Sequence, residues 1–229
     1  MEQQLLDLFD TNPTFDNYIK LGNEFVYNAL TEQKHQYIHI IGNTLHGKTH
    51  LLKAWVHKML SLDKKSIYVD IKEGYDNNQL RTLSRDYKFI AIDNIDLLVD
   101  DENQIAMFDL FNSIKLNNLN NVLVTSSNSS LEHNTRLRDD LKTRILSGLT
   151  LHLKAPNDAD LLRILQNYTL LDGINIAEPE LVYLINHYTR NIGILINTIR
   201  KIVNTALLEN RHITIPLIKQ VINPALQTS

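Results

Sequence analysis

Short apolar runs alternate with helical stretches over the first two thirds of the chain. Five of these runs predict β-strands: residues 37–41, 66–70, 89–94, 122–126 and 149–153. The third run is almost continuously apolar, which is typical of a buried parallel strand. Apolar residues at helical spacing follow residue 49 and recur over residues 105–116, so helices are predicted there. Strands that alternate with helices favour an α/β fold built on a parallel sheet.

The pattern changes after Pro156. Apolar residues then recur only at helical spacing, in the stretches 159–170, 180–188, 192–208 and 216–222. We therefore predict a sheet-containing domain at residues 13–155 and a small all-helical domain at residues 156–229. The segment 1–12 stands apart and carries Gln4, Leu5, Leu6, Leu8 and Phe9. It is interpreted either as a frayed terminus or as a partner site, since exposed apolar clusters often mark one.

Residues 42–49 follow the first predicted strand and fit the P-loop pattern G-x-x-x-x-G-K-S/T at every fixed position. Backbone N–H groups of such a loop surround phosphate oxygens, Lys48 supplies a positive charge and Thr49 a hydroxyl for Mg²⁺. A chance match is the alternative, but the strand before the loop and the helix after it favour nucleotide binding. The candidate nucleotide-binding residues here are Gly42, Asn43, Thr44, Leu45, His46, Gly47, Lys48, Thr49 and His50.

Asp93 ends the third strand in the arrangement known as Walker B, which delivers a carboxylate to Mg²⁺. An Asp after a strand is also a common turn residue, and the upstream P-loop favours the metal role. The next residue is Asn94, whose amide can hydrogen-bond an attacking water but cannot take its proton. We therefore expect nucleotide binding with slow intrinsic hydrolysis.

Polar and basic residues follow the fourth strand. Thr125, Ser126 and Ser127 are candidate sensors of the γ-phosphate, or else residues that cap a turn. Arg136, Arg138 and Arg144 precede the fifth strand, and an arginine outside its own site can complete a neighbouring site in trans. Surface arginines are usually only solvated, so the composition alone leaves both interpretations open.

Composition narrows the class of protein. The chain of 229 residues is 43% hydrophobic and 21% charged, with no cysteine, which excludes disulfides and thiolate metal sites. Its net charge of −3 disfavours a dedicated DNA-binding protein, whose surface is usually basic. No apolar run is long enough to span a membrane, and no signal-peptide pattern begins the chain. These features together predict a cytoplasmic protein.

Several segments together resemble the AAA+ family, and within it the DnaA branch. The stretch 14–18 is similar to a motif that precedes the P-loop of DnaA, and residues 37–54 resemble its P-loop and following helix. Residues 92–95 match the Walker B motif of the Hda family rather than that of DnaA, and residues 141–144 resemble the segment with the arginine finger. Residues 13–155 are thus expected to form the AAA+ P-loop domain and residues 156–229 its helical lid.

The resemblance implies a negative regulator of replication initiation rather than a metabolic enzyme. In the Hda family a short N-terminal peptide binds the β sliding clamp of DNA polymerase III, and residues 4–9 are similar to it. Arg144 is then expected to act as an arginine finger on ATP bound to DnaA. The family's own site holds ADP, which agrees with Asn94. DNA is contacted indirectly through the clamp, and assembly into a homo-oligomer is left open.

Other features shape the alternatives. Leu45 replaces a glycine of DnaA, and Ser127 stands where the relatives tend to have an acidic sensor. The lid arginine of the sensor 2 motif is Gly193 here, with Arg190 nearby, so nucleotide affinity and the choice between ADP and ATP are expected to be altered. An autonomous AAA+ ATPase such as a helicase loader is disfavoured by Asn94. A DnaA-like DNA-binding factor is disfavoured by the acidic balance and by the sequence ending at Ser229 without a helix-turn-helix domain.

Overall fold

The computed structural model describes residues 13–116 and 120–223. These residues belong to two compact units, one formed by Pro13–Ala155 and one that begins at Pro156. The predicted turn at residues 117–121 falls partly outside the described residues, and so does the whole of segment 1–12.

The first unit is built on five parallel strands in the order β2-β3-β4-β1-β5. In chain order its elements are α1 (Glu24–Glu32), β1 (Tyr37–Ile41), α2 (Lys48–Ser61), β2 (Ser66–Asp70), α3 (Asn77–Asp86), β3 (Phe89–Asp93), α4 (Asp101–Leu116), β4 (Val122–Ser127), α5 (Asp139–Leu146) and β5 (Leu149–His152). Short 3₁₀ turns follow β2 and β3 at Ile71–Glu73 and Ile95–Leu97. The predicted α/β fold and its five strands are confirmed.

Helices cover both faces of this sheet. In β3, Ile90 and Ile92 pack with α3, α4 and α5 on one face, while Phe89 and Ala91 pack with α1 and α2 on the other. All five residues of β3 are buried. The continuously apolar run is explained by burial on both sides, as expected for a parallel strand between helices.

Some boundaries differ from the sequence-based expectation. Strand β3 ends at Asp93 rather than Asn94, because Asn94 adopts a left-handed conformation with φ of 60°. Helix α3 was not predicted because its sequence is polar apart from Leu80 and Leu83, too few apolar residues to show a helical pattern. Its N-terminus is capped by the side chain of Asp76, which accepts a hydrogen bond from the backbone N–H of Asn78.

The second unit is helical where it is described, as predicted. It contains α6 (Asp158–Leu171), α7 (Glu178–His187), α8 (Ile192–Leu208) and α9 (Ile215–Ile222), which share one apolar core. A capping box formed by Asn157 and Asp160 opens α6. Within the described residues, no helix is long and apolar enough to cross a membrane.

Candidate functional site

The P-loop connects the end of β1 to the start of α2. Gly47 caps the helix in the left-handed region, with φ of 87°, which glycine adopts without the steric cost of a Cβ atom. Leu45 is also left-handed, with φ of 77°. For a residue with a side chain this conformation costs about 1–2 kcal/mol, so the leucine strains the loop.

Lys48 is the first residue of α2 and is 5% exposed. Its ammonium group donates to the backbone oxygen of Gly42 at 2.5 Å, to that of Asn43 at 3.2 Å and to the side-chain oxygen of Asn128 at 3.0 Å. Burial lowers the pKa of Lys48, and the charges of Asp93 and Asp96 oppose this shift. The lysine therefore lies inside the loop with all three of its N–H donors in use.

Asn128 links this lysine to a carboxylate after β3. The Asn128 amide nitrogen donates to Asp96 at 3.1 Å, and its backbone N–H donates to the same carboxylate at 3.2 Å. Because the amide nitrogen is held by Asp96, the amide oxygen is directed to Lys48. Asn128, which directly follows β4, is thus the polar residue that contacts the P-loop lysine.

The Asp93 carboxylate lies fully buried at the end of β3. It accepts hydrogen bonds from Thr49 Oγ1 at 2.5 Å and from the Tyr68 hydroxyl at 3.0 Å on one oxygen. The other oxygen accepts from the Ser126 hydroxyl and, at 3.1 Å, from the Asn94 backbone N–H. Thr49 and Asp93 are thus brought together as a Mg²⁺ site requires, but four protein donors occupy the carboxylate, so the arrangement does not fit a tightly held Mg²⁺.

Asn94 faces a second carboxylate at the end of the neighbouring strand β2. Its amide nitrogen donates to Asp70 Oδ1 at 2.8 Å, which directs the amide oxygen away from Asp70. Asp70 also accepts from the backbone N–H of Lys72 and so caps the following 3₁₀ turn. Asn94 is therefore held in one orientation, with its oxygen as a hydrogen-bond acceptor.

Ser127 lies beside the P-loop, where its backbone oxygen accepts from Gly42 N–H at 3.2 Å. Its hydroxyl donates to the backbone oxygen of Ser129 at 2.6 Å and lies 3.1 Å from Nε2 of His39. His39 is fully buried in β1, and its Nδ1 lies 2.9 Å from the Thr125 hydroxyl. The Ser127 hydroxyl, predicted as a sensor, is thus held by Ser129 and His39. The contact with Lys48 comes instead from the adjacent Asn128.

His46 of the P-loop and His50, just after it, contact the chain around the loop. His46 Nδ1 lies 3.3 Å from the backbone oxygen of Leu153, and Thr44 Oγ1 lies 3.5 Å from Asn128 Oδ1. His50 donates through Nε2 to the backbone oxygen of Thr14 at 3.0 Å, and burial lowers its pKa. His50 therefore helps to fix the segment that precedes α1 against α2.

Arg144 lies on α5, away from the P-loop of its own chain. Its guanidinium is 5.7 Å from the ring centre of Phe108, and its charge opposes the burial that raises the pKa of Tyr37. Tyr37 begins β1, whereas the P-loop follows the end of that strand. At the usual rise per residue of a β-strand, the two ends of β1 lie about 13 Å apart. Arg144 is partly exposed and forms no ion pair within residues 13–116 and 120–223.

The lid positions named from the sequence lie at the start of α8. Gly193 is in the first turn of that helix, which is capped by the Asn191 side chain. Arg190 forms two hydrogen bonds with the Asp158 carboxylate, at 2.7 and 3.0 Å. Arg190 is therefore engaged with a carboxylate of its own unit.

The predicted partner-binding residues Gln4, Leu5, Leu6, Leu8 and Phe9 lie outside the described residues. Over the described ranges, no group of three or more His, Cys, Asp or Glu side chains could hold a metal.

Sequence reasoning missed four polar residues of the site: Tyr68, Asp70, Asp96 and Asn128. They come from different strands and turns and meet only because the sheet order brings the carboxyl ends of β2, β3, β4 and β1 to one edge. The available signal was their position at or just after predicted strands, since ligands of open α/β sheets bind at that edge.

Comparison with known proteins identifies the fold. Residues 158–222 match the family model "Hda, lid domain". An uncharacterized protein of Haemophilus influenzae is 25% identical over 216 residues, which cover 92% of this chain and 93% of the relative.

Two solved structures of DnaA are similar. Domain III of the Thermotoga maritima replication initiation protein DnaA has a TM-score of 0.81 at 20% identity, covering 96% of this chain and 99% of that one. AMPPCP-bound DnaA from Aquifex aeolicus has a TM-score of 0.70 at 21% identity, covering 88% of this chain and 68% of that one. The chain therefore shares the fold of these DnaA structures, and its residues 158–222 match the lid domain of Hda, in line with the predicted resemblance to the DnaA branch.

Proposed function

We propose that this protein is a negative regulator of replication initiation that stimulates hydrolysis of ATP bound to DnaA. Arg144 is the catalytic group and acts in trans as an arginine finger. The observation that carries the proposal is the location of Arg144 on α5, beside Phe108 and near Tyr37 at the start of β1, whereas the P-loop follows the end of that strand. This location supports a role for Arg144 outside its own nucleotide site, at the nucleotide of a neighbouring molecule.

The protein's own P-loop holds ADP or ATP as a ligand that stabilises the fold. The loop backbone supplies phosphate-binding groups, and the buried Lys48 adds its charge once the phosphate replaces its present acceptors on Gly42, Asn43 and Asn128. The likeness to a DnaA solved with AMPPCP supports a nucleotide in this position. A ligand at one hundred times its Kd stabilises the fold by about 2.7 kcal/mol.

Hydrolysis of ATP at the protein's own P-loop site is expected to be slow. Asn94 stands directly after Asp93, where a carboxylate would take a proton from the attacking water. Its amide nitrogen is held by Asp70 at 2.8 Å, so its oxygen can orient a water but cannot remove the proton. Slow hydrolysis at its own site supports a regulator that acts on a partner's nucleotide rather than an autonomous ATPase.

The N-terminal residues recruit the protein to DNA. Gln4, Leu5, Leu6, Leu8 and Phe9 form an apolar peptide suited to a groove of the β sliding clamp. The clamp encircles DNA, so the net charge of −3 is no obstacle to a contact with DNA made through it. Regulation would then be confined to the period when clamps are loaded.

The test measures hydrolysis of ATP preloaded on DnaA, in the presence of clamp-loaded DNA, with wild type, Arg144→Ala and Arg138→Ala. Arg138 is a matched control because it is exposed at the opposite, N-terminal end of the same helix and pairs with Asp140 at 2.9 Å. We expect wild type and Arg138→Ala to stimulate equally and Arg144→Ala to lose most of the stimulation. Failure of the wild-type protein to stimulate DnaA would refute the proposed function.

The alternative function is an autonomous AAA+ ATPase such as a helicase loader. It is tested by measuring ATP hydrolysis by the same protein samples without DnaA. Rapid turnover of ATP by the protein alone would favour it and contradict the role given to Asn94.

A further inference from the structure

The Asp93 carboxylate is saturated by donors from its own chain. Its two oxygens accept from Thr49, Tyr68, Ser126 and the Asn94 backbone. An ionised carboxylate offers about four lone-pair sites, so none is left for a further partner. This matters because Mg²⁺ in a P-loop site depends on that carboxylate.

A Mg²⁺ ion can use Asp93 only after one of the four donors has left. Mg²⁺ requires nearly octahedral oxygen ligands and retains several waters, so the carboxylate must either ligate the ion or accept from a bound water. The Thr49 hydroxyl can ligate the ion through its oxygen and still donate its proton to Asp93, Asn94 donates through the main chain, and Ser126 is fully buried in β4. The Tyr68 hydroxyl is the donor that must be displaced.

Tyr68 is well held against such displacement. It lies on β2, where it pairs with Ala91, and its hydroxyl reaches the Asp93 carboxylate at 3.0 Å. The Lys53 ammonium group lies 5.0 Å from the ring centre, and the hydroxyl is 3.5 Å from the Asp70 carboxylate.

We propose that Tyr68 competes with Mg²⁺ for the Asp93 carboxylate, so that the P-loop site binds ADP with little dependence on the metal. The inference rests on the nucleotide binding of the proposed function and adds the residue that sets its metal dependence. Tyr68 acts as a specificity-determining residue through Asp93. A nucleotide held without a tightly bound Mg²⁺ suits a structural ligand better than a substrate for hydrolysis.

The experiment measures the Kd of ADP for the full chain by titration calorimetry, once with Mg²⁺ and once with excess chelator. The variants are Tyr68→Phe and the matched control Tyr75→Phe, whose hydroxyl is buried without a hydrogen-bond partner. We expect the two conditions to differ by less than about threefold for wild type and Tyr75→Phe. Removing the Tyr68 hydroxyl frees a hydrogen bond to a charged group, so Mg²⁺ should tighten ADP binding about tenfold in Tyr68→Phe.

Two results would overturn the inference while leaving the nucleotide site intact. One is wild-type binding that Mg²⁺ tightens tenfold or more, and the other is a Tyr68→Phe variant with the wild-type ratio. Absence of ADP binding under both conditions would instead refute the nucleotide site of the proposed function, and this inference with it. Thermal unfolding of each variant checks that the fold is retained.

Discussion

His39 makes the stability of the sheet unit dependent on pH. Its imidazole is fully buried in the central part of the sheet, between the hydroxyls of Thr125 and Ser127. Burial, with a smaller contribution from the charge of His152, lowers the pKa of His39 from 6.5 to about 4. The folded protein therefore keeps this side chain neutral at pH values where the unfolded chain is protonated.

The sign and size of the effect follow from this difference. Above pH 6.5 both states are neutral and the group has no effect, whereas between pH 6.5 and 4 only the unfolded state gains a proton. Stability thus falls with decreasing pH, by about 1.4 kcal/mol per unit in this window. Between pH 7 and pH 5 the loss due to His39 alone is about 2 kcal/mol by the same linkage.

The assay is urea unfolding at pH 7 and pH 5, followed by fluorescence of the single tryptophan, Trp55, which is buried in the same unit. The His39→Gln variant should lose about 2 kcal/mol less than wild type over this interval. His133→Gln, at an exposed position, is the matched control and should behave as wild type. His50 contributes in the same direction in all three proteins, since burial lowers its pKa also. An unchanged pH dependence in His39→Gln would refute the reasoning.

Two further predictions concern the P-loop and the N-terminal segment. Leu45→Gly should raise the free energy of unfolding by about 1 kcal/mol, because the left-handed φ of 77° favours glycine; a lower thermal midpoint would contradict the strain assigned to Leu45. Replacing Leu8 and Phe9 by Ala should abolish binding to the sliding clamp in a surface-plasmon assay, whereas Glu2→Ala should not; undiminished binding of the double variant would remove the role proposed for the segment.

Local patterns predicted most of the sheet because its strands are short apolar runs between turn residues. Strand β3 is buried on both faces and had a clear signal, whereas α3 has only Leu80 and Leu83 as buried apolar residues and gave none. Helical spacing after Pro156 likewise predicted the lid, since each of its helices buries one face in a common core.

The site was predicted only where a motif fixes its residues along the chain. Lys48, Thr49 and Asp93 belong to such motifs, and the structure brings them together. Tyr68 and Asn128 belong to none, because their roles depend on which strands are neighbours. Spacing along one strand carries no information on the order β2-β3-β4-β1-β5, so their contacts with Asp93 and Lys48 had to come from the structure.

Arg144 is proposed to contribute to catalysis on a partner's ATP. The most direct measurement is single-turnover hydrolysis of ATP on DnaA, at increasing concentrations of wild type or Arg144→Ala on clamp-loaded DNA. An arginine finger is worth 10³–10⁵ in rate in other systems, so the maximal rate should fall by at least about a hundredfold in the variant, with the half-saturating concentration nearly unchanged. A variant that reaches the wild-type maximal rate at higher concentration would show that Arg144 only binds DnaA, and would contradict the account.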